Sequence, residues 1–321
     1  MTLKEKTKNK LIKVGIQMDS LDKINKKTDS TLALIEEALK RGFIVYIYTV
    51  ENLSIIDNEP VCAANQVLTI NILKEKFLIL DKKKRIYLKN LHYILIRQDP
   101  PFDMQYITAT HILDKLPESC IIINKPDSIR NCPEKIFVME FYHLMPPTVI
   151  SKEFSTITKF MKKHKQIVVK PLFGNGGKDV YFLSDKDPNL KIIIENLLKN
   201  REHIIAQKFI KKVKQGDKRI LLINGKPVGA VNRVPNKNEI RANLHIGGIA
   251  KKTTLTKRDI YICKEISNKI KSKGLFFAGI DIIDGYLTEI NVTSPTCIRE
   301  IDKLNKTNIS KVFWNEVKNI N

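Results

Sequence analysis

The chain reads as an α/β N-terminal domain followed by an α+β half built on antiparallel hairpins. Three observations carry that reading. Residues 11–18, the helical spacing of residues 30–40 and the apolar run 43–50 form a strand–helix–strand order, which folds as a parallel unit. Asn224-Gly225 and Asp284-Gly285 each lie between apolar runs, the signature of a tight antiparallel turn. With 321 residues, 43% hydrophobic and 28% charged, the chain is ordinary globular material, long enough for two or three domains.

The formal net charge is +22. A nucleic-acid binder is the obvious first thought. The basic residues are spread throughout, however, are mostly Lys, and accompany abundant Ile and Asn, as an A/T-rich coding sequence produces. No nucleic-acid module goes with them, so no nucleic-acid partner is expected, although an anionic substrate such as a nucleotide would benefit from the field. Cys62, Cys120, Cys132, Cys263 and Cys297 are scattered and form no C-x-x-C pair, which argues against a metal knuckle or disulfide framework. The charged N-terminus has no apolar core and is not a secretory signal. No run is long and apolar enough to span a membrane. A reducing cytoplasm is the expected compartment.

Residues 1–10 are expected to be a mobile tail and 11–130 the α/β domain. The first strand ends at Asp19-Ser20, at the C-terminal edge where open α/β sheets place their sites. Leu32, Leu34, Ile35, Ala38 and Leu39 give the helix its apolar stripe, and Gly42 stops it. Residues 51–90 read as irregular, with short strands around 66–69 and 77–80. The strand at 93–97 runs into R-Q-D-P-P-F-D, which two prolines hold extended. Arg97 is the candidate there for a charged substrate, and Asp103 the cap of a helix over 104–116. After a strand at 121–123, Asn131 and Glu134 form a capping-box pattern for a helix through Tyr142. Lys135 falls in its first turn, where the helix dipole disfavours a cation, so an anionic partner is expected nearby.

A domain boundary is expected near residues 125–145. Strand 148–150 and helix 155–164 precede Q-I-V-V-K-P-L-F-G-N-G-G-K-D-V-Y-F-L. Here a strand, the loop Gly174, Asn175, Gly176, Gly177 and a second strand follow one another. Glycines let backbone N–H groups approach a phosphate, but the pattern is neither a Walker A loop nor a Rossmann turn, and an ordinary hairpin reads the same way. Lys170, at the end of the preceding strand, can reach phosphates and strengthens the functional reading. Helix 190–198 leads to a strand whose exit, Gln207, Lys208, Phe209 and Ile210, offers backbone groups and an apolar wall to an adenine edge, as many strand exits do. Asp217, Arg219 and Arg233 flank the Asn224-Gly225 hairpin. The glycine-bounded loop with Arg241, Asn243, Gly247 and Gly248 has the make-up of a mobile lid. Helix 256–273 follows. The last helix, 309–317, carries Trp314 for packing.

Glu289 and Asn291 are two apart on a strand and share a face. Asp281 joins that face only if an odd number of residues intervenes. A three-residue loop ending in a left-handed Gly285 would supply it. An even loop would leave Glu289 and Asn291 as the pair. Two carboxylates and an amide oxygen suit Mg²⁺, with Mn²⁺ as the alternative, bound together with phosphates.

A lysine at a helix start, a lysine before a glycine loop, a basic hairpin, an Arg-bearing loop and this acidic strand pair resemble the ATP-grasp ligases. Within that superfamily I-R-Q-D-P-P-F-D, K-P-L-F-G-N-G-G and L-T-E-I-N-V-T-S-P-T-C-I-R-E resemble the prokaryotic-type glutathione synthetases, over about residues 11–305. The resemblance implies an N-terminal domain and an ATP-grasp fold whose two α+β subdomains, a small lid subdomain over 131–210 and a C-terminal catalytic one over 211–321, clasp ATP. It implies ligation of γ-glutamylcysteine and glycine through an acylphosphate, with no side-chain nucleophile. In that frame Lys135, Lys170 and the loop from Gly174 to Gly177 meet the phosphates. Gln207, Lys208, Phe209 and Ile210 hold adenine, and Asp217, Arg219 and Arg233 join the nucleotide-binding set. Asp281, Glu289 and Asn291 hold the metal. Arg97 and Arg241 bind the dipeptide or acylphosphate, with Ser294, Thr296 and Arg299 close by. A homotetramer is implied as well. Phe173 and Lys178 depart from the family pattern, where Asp and a small residue are frequent. A different carboxylate–amine pair on the same fold is the alternative.

Overall fold

The structure is a computed structural model, described here for residues 11–320 other than 175, 200, 201, 238 and 240. The expected tail and Asn175 lie outside the described residues. The N-terminal domain begins β1 (Lys13–Gln17), α1 (Ser30–Lys40) and β2 (Ile44–Tyr48), followed by β3 (Leu53–Ile56), β4 (Glu59–Ile70), β5 (Leu78–Leu80) and β6 (Lys84–Tyr87). It is completed by β7 (Tyr93–Ile96), α2 (Met104–Leu113) and β8 (Ile121–Ile123). The central order is β3-β4-β2-β1-β7-β8, with β5 and β6 also paired to β4. β1 runs parallel to β2 and β7, and β7 parallel to β8, as the strand–helix–strand order requires. Asp29 caps α1, accepting from Leu32 N at 2.6 Å, and Asp103 caps α2, accepting from Tyr106 N at 2.9 Å.

Two expectations fail here. Residues 51–90 are largely strand, and β4 alone is twelve residues long. β4 pairs with β3 and β6 along its first half and with β2 and β5 along its second. Val61, Cys62 and Ala64 are buried, so no clean alternation marks the strand. The turn signal was present, since Asp57 and Asn58 both take positive φ, 49° and 64°, as a type I′ turn demands. The capping box also fails. Pro126 starts α3 (Pro126–Asn131), so Asn131 ends one helix rather than capping the next. Pro133 intervenes, and α4 (Glu134–Phe137) begins without a side-chain cap, passing into a 3-10 turn at Val138–Leu144. The side chain of Glu134 is thereby released from any helix-capping duty.

The second part is β9 (Thr148–Ser151), α5 (Phe154–His164), β10 (Gln166–Pro171), β11 (Tyr181–Ser184), α6 (Leu190–Leu198) and β12 (Ile204–Lys208). Its strands form an antiparallel sheet in the order β11-β10-β12-β9. One face packs Ile167, Val169, Leu183 and Ala206 against Ile157 and Met161 of α5 and Ile194 of α6. Strand alternation turns Val168, Lys170 and Gln207 to the other face.

The third part is β13 (Asp217–Ile223), β14 (Lys226–Val234), β15 (Ile249–Lys252), α7 (Lys257–Ser272), β16 (Phe277–Ile283) and β17 (Tyr286–Asn291). The sheet order is β15-β14-β13-β16-β17. One face, with Ile220, Leu222, Ile280, Ile282 and Ile290, packs on Ile262, Ile266 and Ile270 of α7. The opposite face is apolar at one end, where Leu221 and Ile223 join the core of the N-terminal domain. At its other end it is polar. α8 (Ile298–Asn305) and α9 (Ile309–Val317) close the chain. Trp314 is fully buried and donates from Nε1 to Leu34 O at 2.9 Å, fastening α9 to α1.

Candidate active site

The polar end of the five-stranded sheet is assembled by register. Asp217 lies opposite Arg233, and Arg219 opposite Asp281. Asp281 in turn lies opposite Glu289, and Gly279 opposite Asn291. Residues directly opposite on antiparallel strands share a face. The chain achieves this for Asp281 and Glu289 differently from expectation. Asp284 and Gly285 have φ of 49° and 76°, a two-residue type I′ turn rather than a three-residue loop. The odd residue is Thr288, bulged out between the pairs Ile282–Leu287 and Asp281–Glu289. Its Oγ1 donates to Asp281 O at 3.1 Å.

Arg219 bonds both oxygens of Asp281, through Nε at 2.5 Å and Nη2 at 2.9 Å. Arg233 Nη2 lies 2.6 Å from Asp217 and 2.9 Å from Asp281. Burial alone would raise the pKa of Asp281, but Arg219 and Arg233 outweigh it and hold the carboxyl well below the usual range. Asp217, buried beside Asp281 and less well served by the shared guanidiniums, is pushed up to about 7. Gly279 is where the Arg219 side chain passes over the sheet. A Cβ there would stand 3.1 Å from Arg219 Cδ.

Two separate elements bring positive charge to Glu289. Lys170 of β10 reaches its Oε1 at 2.6 Å, and Lys135 of α4 stands 4.0 Å away. Burial works against ionisation, yet the two ammonium groups keep the Glu289 carboxyl below its ordinary value. Lys135 and Lys170 thus bring two ammonium groups to the cleft wall, donors of the kind that a phosphate takes. Lys135 also donates to Gly174 O at 2.5 Å. Gly176 and Gly177 both have positive φ, and Arg241 Nη1 donates to Gly177 O at 3.1 Å while its Nη2 pairs with Glu239. The two loops thus meet across the cleft.

The cleft encloses about 670 Å³ between the two smaller sheets and the C-terminal edge of the N-terminal sheet. Of the expected residues described, Lys135, Lys170, Gly174, Gly176, Gly177, Gln207, Lys208, Phe209, Ile210, Asp217, Arg219, Arg233 and Arg241 line it. So do Asp281, Glu289, Asn291, Arg97, Ser294 and Thr296. The Lys208 and Phe209 amides are spent on Pro147 O and Gln166 O, so those two donors are not offered to a ligand.

Arg97 is only 4% exposed. Its Nε donates to Thr31 Oγ1 at 3.2 Å and its Nη2 to Pro295 O at 2.9 Å, while its own carbonyl accepts from Ser294 Oγ at 3.1 Å. It therefore straps the S-P-T loop to the N-terminal domain. Burial lowers its pKa, against the pull of Asp29 and Asp99. Arg299 stands apart from the cleft wall. It donates from Nε to Asp29 O at 2.9 Å and pairs with Glu36, tying α8 to α1.

The cleft also contains residues that sequence reasoning did not select: Asp19, Asp99, Glu134 and Thr293. Asp19 had a signal, its place at the end of β1. Glu134 was masked by the capping pattern. The oxygen donors that could take a hard cation are Asp281, Glu289 and Asn291. Among the described residues no three His, Cys, Asp or Glu side chains form a metal cage, so a cation here would draw its remaining ligands from phosphate or water.

Two antiparallel sheets facing each other across lysines and a glycine loop define an ATP-grasp ligase. Solved structures share this fold. D-cycloserine synthetase DcsG superposes with a TM-score of 0.64 over 94% of this chain and 99% of that one, at 12% identity. The macrocyclase MdnC of Microcystis aeruginosa, bound with precursor peptide MdnA, gives 0.63 over 96% and 100%, at 14% identity. The particular family follows from sequence. The model of the prokaryotic glutathione synthetase N-terminal domain matches residues 12–130, and that of its ATP-grasp domain residues 134–306. The glutathione synthetase of Brucella melitensis is 44% identical over 308 residues, covering 96% of this chain and 98% of that protein. That of Escherichia coli is 40% identical over 295 residues, covering 91% and 93%. The chain belongs to the prokaryotic glutathione synthetase family.

Proposed function

We propose that the chain joins γ-glutamylcysteine to glycine at the expense of ATP, giving glutathione, ADP and phosphate. The observation that carries this is the convergence of Lys135, Lys170 and Glu289 from three elements on one cleft, in a chain of this family. The cysteine carboxylate attacks the γ-phosphorus and ADP leaves. The glycine amine then attacks the acylphosphate carbonyl, and phosphate leaves with the C–O bonding pair as the amine sheds a proton. Neither step needs a side-chain nucleophile. Positioning and charge stabilisation suffice.

Lys135 and Lys170 bind the phosphates, and the glycine loop closes over them with Arg241. Arg219 and Arg233 keep Asp281 ionised. Glu289, Asp281 and Asn291 fit Mg²⁺ because all three are hard oxygen donors and both carboxyls are held anionic. Bound there with the phosphates, the cation would neutralise charge on the transferring group. Arg97 acts on the dipeptide side by holding the Ser294–Thr296 loop in place. Among the described residues no helix is long and apolar enough to cross a membrane. We place the reaction in a reducing cytoplasm, in a homotetramer.

The test is phosphate release with each substrate omitted in turn. Release should require ATP, γ-glutamylcysteine and glycine together. Equal release without glycine would overturn the ligation, and equal release when another acid replaces the dipeptide would move the reading to a different substrate pair.

A further inference from the structure

Glu134 enters the site without a part in binding phosphate or substrate. It opens α4 immediately after Pro133, and its Oε1 accepts from Thr293 Oγ1 at 2.8 Å, which pins the carboxylate. Its other oxygen faces the Asn291 amide, and that amide has two possible orientations. In one, Nδ2 lies 3.3 Å from Gly279 O and 3.4 Å from Asp281 Oδ2. This presents N–H donors beside Asp281, where a cation would be repelled, and sets the amide oxygen against the Glu134 carboxylate. In the other, Nδ2 donates to Glu134 Oε2 at 3.3 Å, and Oδ1 accepts from Arg219 Nη2 at 3.2 Å. Only the second satisfies both ends of the amide, with Glu134 favouring it at the nitrogen and Arg219 at the oxygen.

We propose that Glu134 is a positioning residue that turns the Asn291 amide oxygen toward the Asp281 carboxylate, completing an oxygen set for a divalent cation. A residue that fixes the orientation of a ligand tunes its metal affinity without touching the metal. The inference rests on the Mg²⁺-dependent reading of this site.

The test uses the full chain with ADP and Mn²⁺, free Mn²⁺ being read by electron paramagnetic resonance. Glu134→Met keeps the side-chain length but removes the acceptor. It should weaken Mn²⁺ binding by roughly 10–100-fold. Asn291→Ala should weaken it similarly, and the double variant should be no weaker than Asn291→Ala alone, because the two act as one unit. Glu134→Gln, which keeps an acceptor oxygen, should recover most of the affinity. Wild-type affinity in Glu134→Met, additive losses in the double variant, or a Gln variant as weak as Met would each overturn the proposal. If the Met variant does not fold, Glu134→Ala takes its place in the cycle. Absence of Mn²⁺ binding by the wild-type chain would instead fail the cation site itself, and the proposal with it.

Discussion

Glu289 joins three elements of the site. It accepts from Lys170 at 2.6 Å, lies 4.0 Å from Lys135, and faces Asp281 across the ladder. Glu289→Gln keeps its shape and removes its charge, leaving the two lysines uncompensated. Ligase turnover should fall by roughly 10²-fold or more, the scale on which losing one preorganised electrostatic group acts. The thermal transition should remain cooperative. Near-wild-type turnover at low Mg²⁺ would remove Glu289 from the proposed metal site. At this scale the sequence was legible where chemistry and periodicity agreed. Glu289 and Asn291 share a face because strands alternate. Asp281 was legible as a residue, but the device that brings it round, a bulge at Thr288, was not. A bulge leaves no mark in composition, and the threonine there is a normal strand residue. Glu134 was hidden for another reason. Its spacing from Asn131 mimics a cap, and only Pro126, by starting the earlier helix, shows that the cap is not made.

Between residue and domain, the decisive elements are the two loops that meet over the cleft. Gly176 and Gly177 both have positive φ, 62° and 78°, but their surroundings differ. A Cβ on Gly176 would meet nothing within 4 Å, whereas one on Gly177 would stand 2.8 Å from Asn243 Oδ1 and 3.1 Å from Ile246 Cδ1. Gly176→Ala therefore suffers only the left-handed penalty, about 1–2 kcal/mol, and should raise the KM for ATP by roughly tenfold at 1.4 kcal/mol per decade. Gly177→Ala adds the clash with the Arg241 loop and should raise it further. Equal effects of the two substitutions would show that the loops do not need to meet. The glycine loop was visible in sequence as a loop, but its partner was not, since nothing local says which two loops touch. The same limit explains β4. A strand paired on both edges and, over its first half, buried on both faces has no alternation to read there, while the parallel β1–α1–β2 unit and the Asn224-Gly225 turn, whose signals are local, were read correctly.

Taken whole, the molecule handles a thiol substrate while its own cysteines stay out of the chemistry. All five are free and buried. Burial pushes the Cys62, Cys120 and Cys263 thiols up to about 12 and Cys132 to about 11, from an ordinary 9.0. Such groups stay protonated at neutral pH, where the thiolate is the reactive form. The native chain should therefore react slowly with a disulfide reagent at pH 8 and release its thiols only on unfolding. The same shifts fix a pH dependence. Between pH 9 and about 11–12 the folded chain keeps protons that the unfolded chain has given up. Stability falls with pH wherever the native state binds more protons. The thiol contribution is fully present below pH 9 and is lost as pH rises through 11–12. Tyr106 and Tyr48, raised by the same burial, act in the same direction. The thermal midpoint should accordingly fall from pH 8 to pH 11, and a Cys62→Ala/Cys263→Ala variant, lacking two of the buried thiols, should show a shallower fall. Parallel pH profiles for the variant and the wild-type chain would show that the alkaline loss arises elsewhere.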